Sequence, residues 1–170
     1  MLLRVPARTV LHSDEQGIPT GSGAVGGTEY DFSQPRAIAA TKLDTAFTDL
    51  ERDQDGLASV ELRHPDHDAG LALGVDERYS CVMLYTGDDR PDVNRRSLAV
   101  EPMTCPPNAF RAGDDLIVLE PDGSVQGVWG SARSDTRSRT LLYFVTPGDR
   151  SVIRLRWPTS ETENHAQDEV

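Results

Sequence analysis

The sequence of 170 residues predicts an all-β fold, an antiparallel β-sandwich, on three observations. Apolar residues come in short runs, turn-forming residues separate one run from the next, and few windows show the 3.6-residue period of an amphipathic helix. Several runs are rich in valine, leucine and tyrosine, which pack well on a pleated surface. Runs of this kind are typical of two sheets packed face to face.

Seven apolar runs carry the predicted strands of the first 130 residues. They are Leu2 to Leu11, Ala58 to Arg63, Leu71 to Val75, Tyr79 to Tyr85, Ser97 to Glu101, Leu116 to Leu119 and Val125 to Trp129. Residues 12–57 show little regular pattern. A segment of that length inside a compact domain is more often functional than an unused connection, so we expect a functional loop region there.

Composition changes near residue 130. Residues 1–130 hold 11 basic and 22 acidic side chains, whereas residues 131–170 hold 6 of each. Residues 131–140 have almost no apolar side chain and predict a polar linker or mobile loop. Beyond them, Leu141 to Val145 and Val152 to Trp157 predict a β-hairpin, and the last dozen residues are expected to be disordered. We therefore divide the chain into a sandwich part, 1–130, and an extension, 131–170.

Bulk properties exclude several classes of protein. A net charge of −11 argues against a nucleic-acid partner, because phosphate binding needs clustered lysine and arginine. The sequence has no apolar stretch near the roughly 20 residues of a membrane span, so no membrane partner is expected. The two cysteines, Cys81 and Cys105, are too few for a disulfide scaffold. We therefore expect reduced thiols and a cytoplasmic location.

Three motifs match known site patterns only in part. Gly21 to Gly26 reads G-x-G-x-x-G, but no helix opens after it, so we expect a flexible loop rather than a nucleotide site. Glu51 to Gly56 resembles the start of a calcium loop, yet Leu62 stands where a bidentate glutamate belongs, which favours an acidic turn. His64 to Asp68 offers imidazoles and carboxylates within a turn that favours solvation over zinc binding. No metal and no cofactor are expected.

Glu101 is the most informative side chain. It precedes Pro102, and proline restricts the preceding residue to extended geometry, so Glu101 lies where a strand ends. A carboxylate there can point into a cleft. The alternative is that Glu101 forms an ion pair with Arg95 or Arg96.

The segment around this glutamate resembles a known family. Ala99-Val100-Glu101-Pro102-Met103-Thr104, followed by Pro106-Pro107-Asn108-Ala109-Phe110, resembles the catalytic-glutamate segment of the aldose 1-epimerase (galactose mutarotase) family. Further blocks follow the family's order: Ile18 to Gly21, Gly27 to Phe32, Leu43 to Leu50, Leu84 to Asp89, and Trp129-Gly130. The resemblance covers about residues 2 to 130. It implies the C-terminal part of a galactose mutarotase-like supersandwich, and therefore an incomplete sandwich.

The resemblance also implies an activity, the interconversion of the α and β anomers of an aldohexose. Glu101 matches the general base that takes the proton from the anomeric hydroxyl, and Asp44 matches a carboxylate that hydrogen-bonds sugar hydroxyls. In that scheme an imidazolium protonates the ring oxygen, the ring opens, and reclosure gives the other anomer. The implied protein is an isomerase of carbohydrate metabolism that needs neither metal nor cofactor.

Two features depart from the family pattern. The His-Pro-Tyr motif that carries the acid lies upstream of the matched segment, and no histidine of this chain matches an acid position. The histidines are His12, His64, His67 and His165. In addition, Met83 stands near the place where some members carry a substrate-binding glutamine.

The sequence therefore leaves three interpretations open. The first is a fragment of a sugar mutarotase that retains the fold, Glu101 and Asp44 but lacks the histidine half of the acid/base pair. The second is a non-catalytic carbohydrate-binding β-sandwich that keeps both carboxylates as hydrogen-bond acceptors. The third is an unstable product of a disrupted gene.

Overall fold

The computed structural model describes residues 1–67, 69–92, 94–135 and 138–144. Within these residues the chain forms eleven strands and one helix of four residues. The strands are β1 (Leu2–Arg4), β2 (Ala7–Ser13), β3 (Pro19–Ala24), β4 (Arg36–Ala37), β5 (Asp44–Leu50), β6 (Ala58–Arg63), β7 (Gly70–Val75), β8 (Cys81–Tyr85), β9 (Ala99–Met103), β10 (Trp129–Asp135) and β11 (Ser138–Phe144). The helix, α1 (Ala109–Ala112), lies between β9 and β10.

The strands form two antiparallel sheets. The six-stranded sheet has the order β11-β10-β7-β6-β1-β4, and the five-stranded sheet has the order β3-β2-β5-β8-β9. Buried side chains of both sheets belong to one apolar cluster, which includes Leu3 and Val60 from the first sheet and Phe47 and Val82 from the second. Two sheets that bury their facing sides against each other form a sandwich, so the predicted all-β antiparallel sandwich is confirmed.

The core side of the five-stranded sheet follows from strand register. Val10 of β2 lies opposite Phe47 of β5, and Phe47 lies opposite Val82 of β8. All three side chains are buried. Because paired residues project from the same face of a sheet, this row marks the core side, and alternate residues project outward.

The region without apolar pattern, residues 12–57, contains regular structure. Strand β3, of sequence PTGSGA, pairs with β2 along the edge of the sheet, and β5 occupies Asp44–Leu50 near the sheet centre. The Gly21 to Gly26 motif therefore begins within a strand and is not the flexible loop that was predicted. Small side chains carry little periodic signal, and the pairing of β3 is set by its neighbour's backbone rather than by its own side chains.

The predicted strand at Leu116 to Leu119 is wrong, and of the predicted run Val125 to Trp129 only Trp129 belongs to a strand. Leu116 to Leu119 have no regular secondary structure, and Val118 and Leu119 are 77% and 51% exposed. A turn follows in which the Gly123 N–H donates to the Glu120 carbonyl oxygen. An apolar run has strand character only where a neighbouring strand pairs with it, and this run has no such neighbour among the described residues.

The structure also differs from the linker predicted over residues 131–140. Strand β10 pairs with β7 from Trp129↔Val75 to Arg133↔Leu71, and with β11 from Trp129↔Phe144 to Asp135↔Ser138. The polar composition of this segment argued against burial of its side chains. Backbone pairing does not require that burial, because the backbone of β7 supplies hydrogen-bond partners whatever the side chains are. The predicted strand at Val152 to Trp157 and the predicted disordered tail lie outside the described residues.

The helix of the described residues, α1, has four residues and is too short to span a membrane.

Burial in this core predicts a large difference between two identical substitutions. Leu84 is fully buried in β8, whereas Leu71 in β7 is 57% exposed. Leu84→Ala is expected to lower the free energy of unfolding by about 2–5 kcal/mol, since it removes buried methyl groups and leaves a cavity. Leu71→Ala is the matched control, with an expected change of about 0.5 kcal/mol or less. Urea denaturation followed by circular dichroism measures both, and equal effects would contradict the assigned core.

Candidate functional site

Strand β8 separates the core from the outer face of the five-stranded sheet. Its residues alternate, so that Val82 and Leu84 are buried in the core. Met83 and Tyr85 project from the opposite, outer face and are partly exposed. The outer face of this strand is therefore partly open to solvent at Met83 and Tyr85, whereas Cys81, on the same face, is buried.

Register brings the two predicted site residues to this outer face. Asp44, the first residue of β5, lies opposite Tyr85, and Glu101 of β9 lies opposite Met83. Both carboxylates are on exposed residues, one on each side of β8. Two strand spacings and an offset of two residues separate their Cα atoms by about 12 Å. Their predicted roles as substrate-binding acid and general base stay predictions.

A groove of about 470 Å³ lies at the end of β5 and β8. It is lined by Tyr30, Lys42, Leu43, Asp44, Thr45, Tyr85, Asp88 and Asp89. Asp44 therefore lies in the groove wall. Glu101 is on the same face of the sheet but outside this lining, beyond Met83.

Tyr85 is held in the groove by Asp89. Its phenolic O–H donates a hydrogen bond to Asp89 Oδ1. That bond stabilises the neutral phenol beside a negative charge and raises the pKa of Tyr85 to about 12. At neutral pH Tyr85 is therefore a protonated, oriented side chain next to Asp44.

Asp88 forms the other polar contact in the groove wall. It accepts a hydrogen bond from the Thr86 hydroxyl. It also forms an ion pair with Arg95, whose Nη1 lies 2.7 Å from Asp88 Oδ1. Both contacts favour the charged form and hold the pKa of Asp88 below its ordinary value, with the Thr86 bond contributing most. Because the lowered pKa belongs to the folded state, the contribution to stability is complete above the ordinary aspartate pKa. It is lost as pH falls through the lowered value.

The alternative ion pair for Glu101 is not observed. Arg95 pairs with Asp88, and no described arginine lies within ion-pair distance of Glu101. Glu101 is therefore available on the outer face to a group outside the described chain.

The described histidines lie away from this face. His12 is at the end of β2, against Gly23 of the edge strand β3. His64 and His67 stack on each other, with ring centroids 4.4 Å apart, in the turn between β6 and β7 of the other sheet. His165 lies outside the described residues. None of the three described imidazoles shares the outer face with Asp44.

The remaining motifs form ordinary turns. In the segment Glu51 to Gly56, the Asp53 carboxylate accepts the N–H groups of Asp55 and Leu57, which confirms the predicted acidic turn. No group of three metal-binding side chains occurs in the part of the chain that the structure describes.

Comparison with known proteins finds similarity over most of the chain. The sequence model of the aldose 1-epimerase family matches residues 2–129. The chain belongs to the aldose 1-epimerase family. It is also 37% identical over 119 residues to the Escherichia coli (strain K12) protein described as "Uncharacterized protein YihR". That match covers 70% of this chain and 36% of YihR, so the chain spans about a third of this relative's length.

Sequence reasoning missed two members of the site. Tyr85 and Asp89 stand within a segment already matched to the family, but nothing in the sequence showed that the phenol donates to the carboxylate four residues later. Arg95 was considered only as a partner of Glu101. The signal for its true partner is Asp88 itself, an acidic residue in the turn three positions after the end of β8.

The Tyr85 contact predicts a titration shift. Asp89→Asn removes the carboxylate that accepts the phenolic proton, so the pKa of Tyr85 should fall from about 12 towards the ordinary value of 10. An NMR titration of the tyrosine ring carbons, assigned with Tyr85→Phe, measures this. Asp122→Asn, the same change at an exposed turn, should leave Tyr85 unchanged. A Tyr85 pKa that stays near 12 in Asp89→Asn would rule out the contact as its cause.

Proposed function

We propose that this chain carries part of an aldose 1-epimerase site, which binds an aldohexose on the outer face of the five-stranded sheet. Glu101 acts as the general base, and Asp44 accepts hydrogen bonds from sugar hydroxyls. One observation supports this above the others: strand register sets both carboxylates on one face, astride β8, in a chain of this family. Sequence distance alone, 57 positions, would not bring them together.

The proposed chemistry is proton transfer. The Glu101 carboxylate takes the proton of the hydroxyl on C1, and the electron pair left on that oxygen forms the carbonyl. The bond between C1 and the ring oxygen breaks, and the ring oxygen takes up a proton. Rotation about the C1–C2 bond and reclosure give the other anomer. A base in such a step must lie about 2.6–3.2 Å from the proton-bearing oxygen, directly or through one water.

The groove matches the needs of a neutral polyhydroxylated ligand. Asp44, Asp88 and Asp89 carry acceptor oxygens, Lys42 is a donor, and Tyr30 and Tyr85 offer aromatic surface. Sugar hydroxyls donate and accept hydrogen bonds, and an aromatic wall with a few convergent polar groups is a common form of small-molecule site.

No histidine of the described part of the chain is placed to give the ring oxygen its proton. His12, His64 and His67 lie off the outer face. Tyr85 carries a proton, but its bond to Asp89 and its raised pKa oppose transfer. We therefore propose that this chain, taken alone, supplies the base half of the reaction.

The cellular setting is part of the same proposal. Cys81 and Cys105 are free, and burial raises the pKa of the Cys81 thiol, which keeps it protonated. Free thiols suit a reducing compartment, and we propose a cytoplasmic role in carbohydrate metabolism.

The second candidate is a non-catalytic carbohydrate-binding sandwich. The position of the described histidines favours this candidate. Carboxylates that accept hydrogen bonds can hold a sugar, and without a histidine acid beside them its ring stays closed. Activity separates the two candidates.

The purified chain is expected to accelerate the mutarotation of α-glucose only slightly in polarimetry. Loss of one acid/base partner costs about 10²- to 10⁴-fold, so little of the catalysed rate should remain. For the same reason, Glu101→Gln should change the residual rate little. A rate typical of a competent epimerase, abolished by Glu101→Gln, would contradict the absence of a working acid.

The mutarotation rate in the presence of added imidazole at neutral pH distinguishes the two candidates, a chain with a catalytic base but no acid and a chain that only binds sugar. If Glu101 is a competent base, imidazolium should raise the rate with the unmodified chain more than with Glu101→Gln, after subtraction of the rate without protein. Glu120→Gln, the same change at an exposed loop residue, should behave like the unmodified chain. Equal rates for all three proteins, together with retained glucose binding, would favour the non-catalytic candidate.

A further inference from the structure

The segment that leads into β5 is held by one arginine. The guanidinium of Arg95 donates from both terminal nitrogens to the carbonyl oxygen of Thr41, at 3.3 and 3.2 Å, and from Nη2 to the carbonyl oxygen of Ala39. These two acceptors precede Asp44 by three and five residues. Arg95 therefore holds the backbone that positions the first residue of β5.

A second set of bonds fixes Leu43, the residue before Asp44. The backbone N–H of Leu43 donates to Thr86 Oγ1 at 3.0 Å, and the N–H of Thr86 donates to the Leu43 carbonyl oxygen at 2.9 Å. Thr86 is 3% exposed, so both bonds are shielded from water. The backbone next to Asp44 is thus fixed to the end of β8.

Asp88 links the hydrogen bonds of Arg95 to those between Thr86 and Leu43. A hydroxyl has a single proton to donate, and both the Leu43 carbonyl oxygen and Asp88 Oδ2 lie within its reach. The carboxylate is charged and the Leu43 carbonyl already accepts the Thr86 N–H, so the proton goes to Asp88. The other carboxylate oxygen of Asp88 accepts a hydrogen bond from the Arg95 guanidinium. The backbone N–H of Arg95 donates to the Thr86 carbonyl oxygen at 3.0 Å.

Backbone conformation marks the same contact. Ala39 and Arg95 both adopt left-handed conformations, with φ of 49° and 53°, although neither is glycine. Such conformations are uncommon for residues with a side chain and persist where surrounding contacts determine them. The bond between the Arg95 guanidinium and the Ala39 carbonyl joins these two residues directly.

We propose that Arg95 is a positioning residue for sugar binding, which acts through the 39–43 backbone and Asp88 to hold Asp44 in the groove wall. This inference rests on the proposed function. It does not require Arg95 to touch the sugar, because both terminal nitrogens of its guanidinium already donate to Ala39, Thr41 and Asp88. Lysine cannot replace it fully, since one ammonium lacks the planar fork that reaches several acceptors at once.

The chain offers a matched control in the neighbouring Arg96. This residue is exposed, and in the described part of the chain it has no hydrogen bond or ion pair. Arg95→Met and Arg96→Met remove the same charge from adjacent positions, so a difference between them reports the contacts of Arg95 and not net charge.

The test measures glucose affinity by NMR titration of the full chain. Arg95→Met is expected to raise the dissociation constant about 5- to 20-fold, the coupling expected within one hydrogen-bond network, and Arg96→Met less than about twofold. Arg95→Lys should fall between Arg95→Met and the unmodified chain. In an Asp44→Asn background, Arg95→Met should have little further effect, because a residue that acts through Asp44 loses its influence with that carboxylate. A merely structural role would weaken binding equally in both backgrounds, and that result would overturn the proposal.

A second measurement keeps this test separate from the proposed function. If the unmodified chain does not bind glucose, the proposed function fails, and hydrogen exchange of the Leu43 amide still decides the positioning role. Arg95→Met should accelerate that exchange at least about tenfold, since it removes the partner that steadies Asp88 and Thr86, whereas Arg96→Met should not. Asp88→Asn breaks the same link from the other side and should match Arg95→Met. Unchanged exchange in both variants would overturn the inference.

Discussion

The pairing of β8 with β5 on one side and β9 on the other is the constraint on which the structure depends. Val82 and Leu84 are buried in the core, so they fix which face of β8 points inward. Because side chains alternate along a strand, Met83 and Tyr85 lie on the opposite face. A shift of one residue in either pairing would move Asp44 or Glu101 to the core side. Core burial thus fixes the face on which both carboxylates lie, and the site follows from the same interaction that stabilises the sandwich.

Strand register fixes the face on which Asp44 lies, but it does not by itself hold Asp44 in place at the start of β5. Register decides that Asp44 faces outward, but Asp44 is the first residue of its strand, where backbone pairing is incomplete. The bonds from Arg95, Thr86 and Asp88 supply the missing constraint at that end. Glu101 lies in the middle of β9 and not at the strand end that the sequence predicted, because the edge strand continues through Pro102. It needs no comparable support, since it is paired with Met83 on its inner side.

The sequence predicted the sandwich because short apolar runs bounded by turn residues are visible in residue order, and the family blocks singled out Asp44 and Glu101 as candidates whose roles stay predictions. It did not predict β3 or β10, since PTGSGA and the polar stretch after Trp129 pair through backbone groups that carry no side-chain signal. It assigned a strand to Leu116 to Leu119, where apolar residues have no neighbouring strand among those described. The Arg95 contact was also hidden, because its acceptors Ala39 and Thr41 are backbone carbonyls more than fifty residues away.

We propose that one outer face, astride β8, binds the sugar. NMR titration of the labelled chain with glucose tests this proposal by mapping which backbone amides shift. The largest shifts are expected at Asp44, Tyr85 and Glu101, on three adjacent strands of one sheet. Shifts confined to the six-stranded sheet, for example around the turn between β6 and β7, or no shifts at saturating sugar, would contradict it.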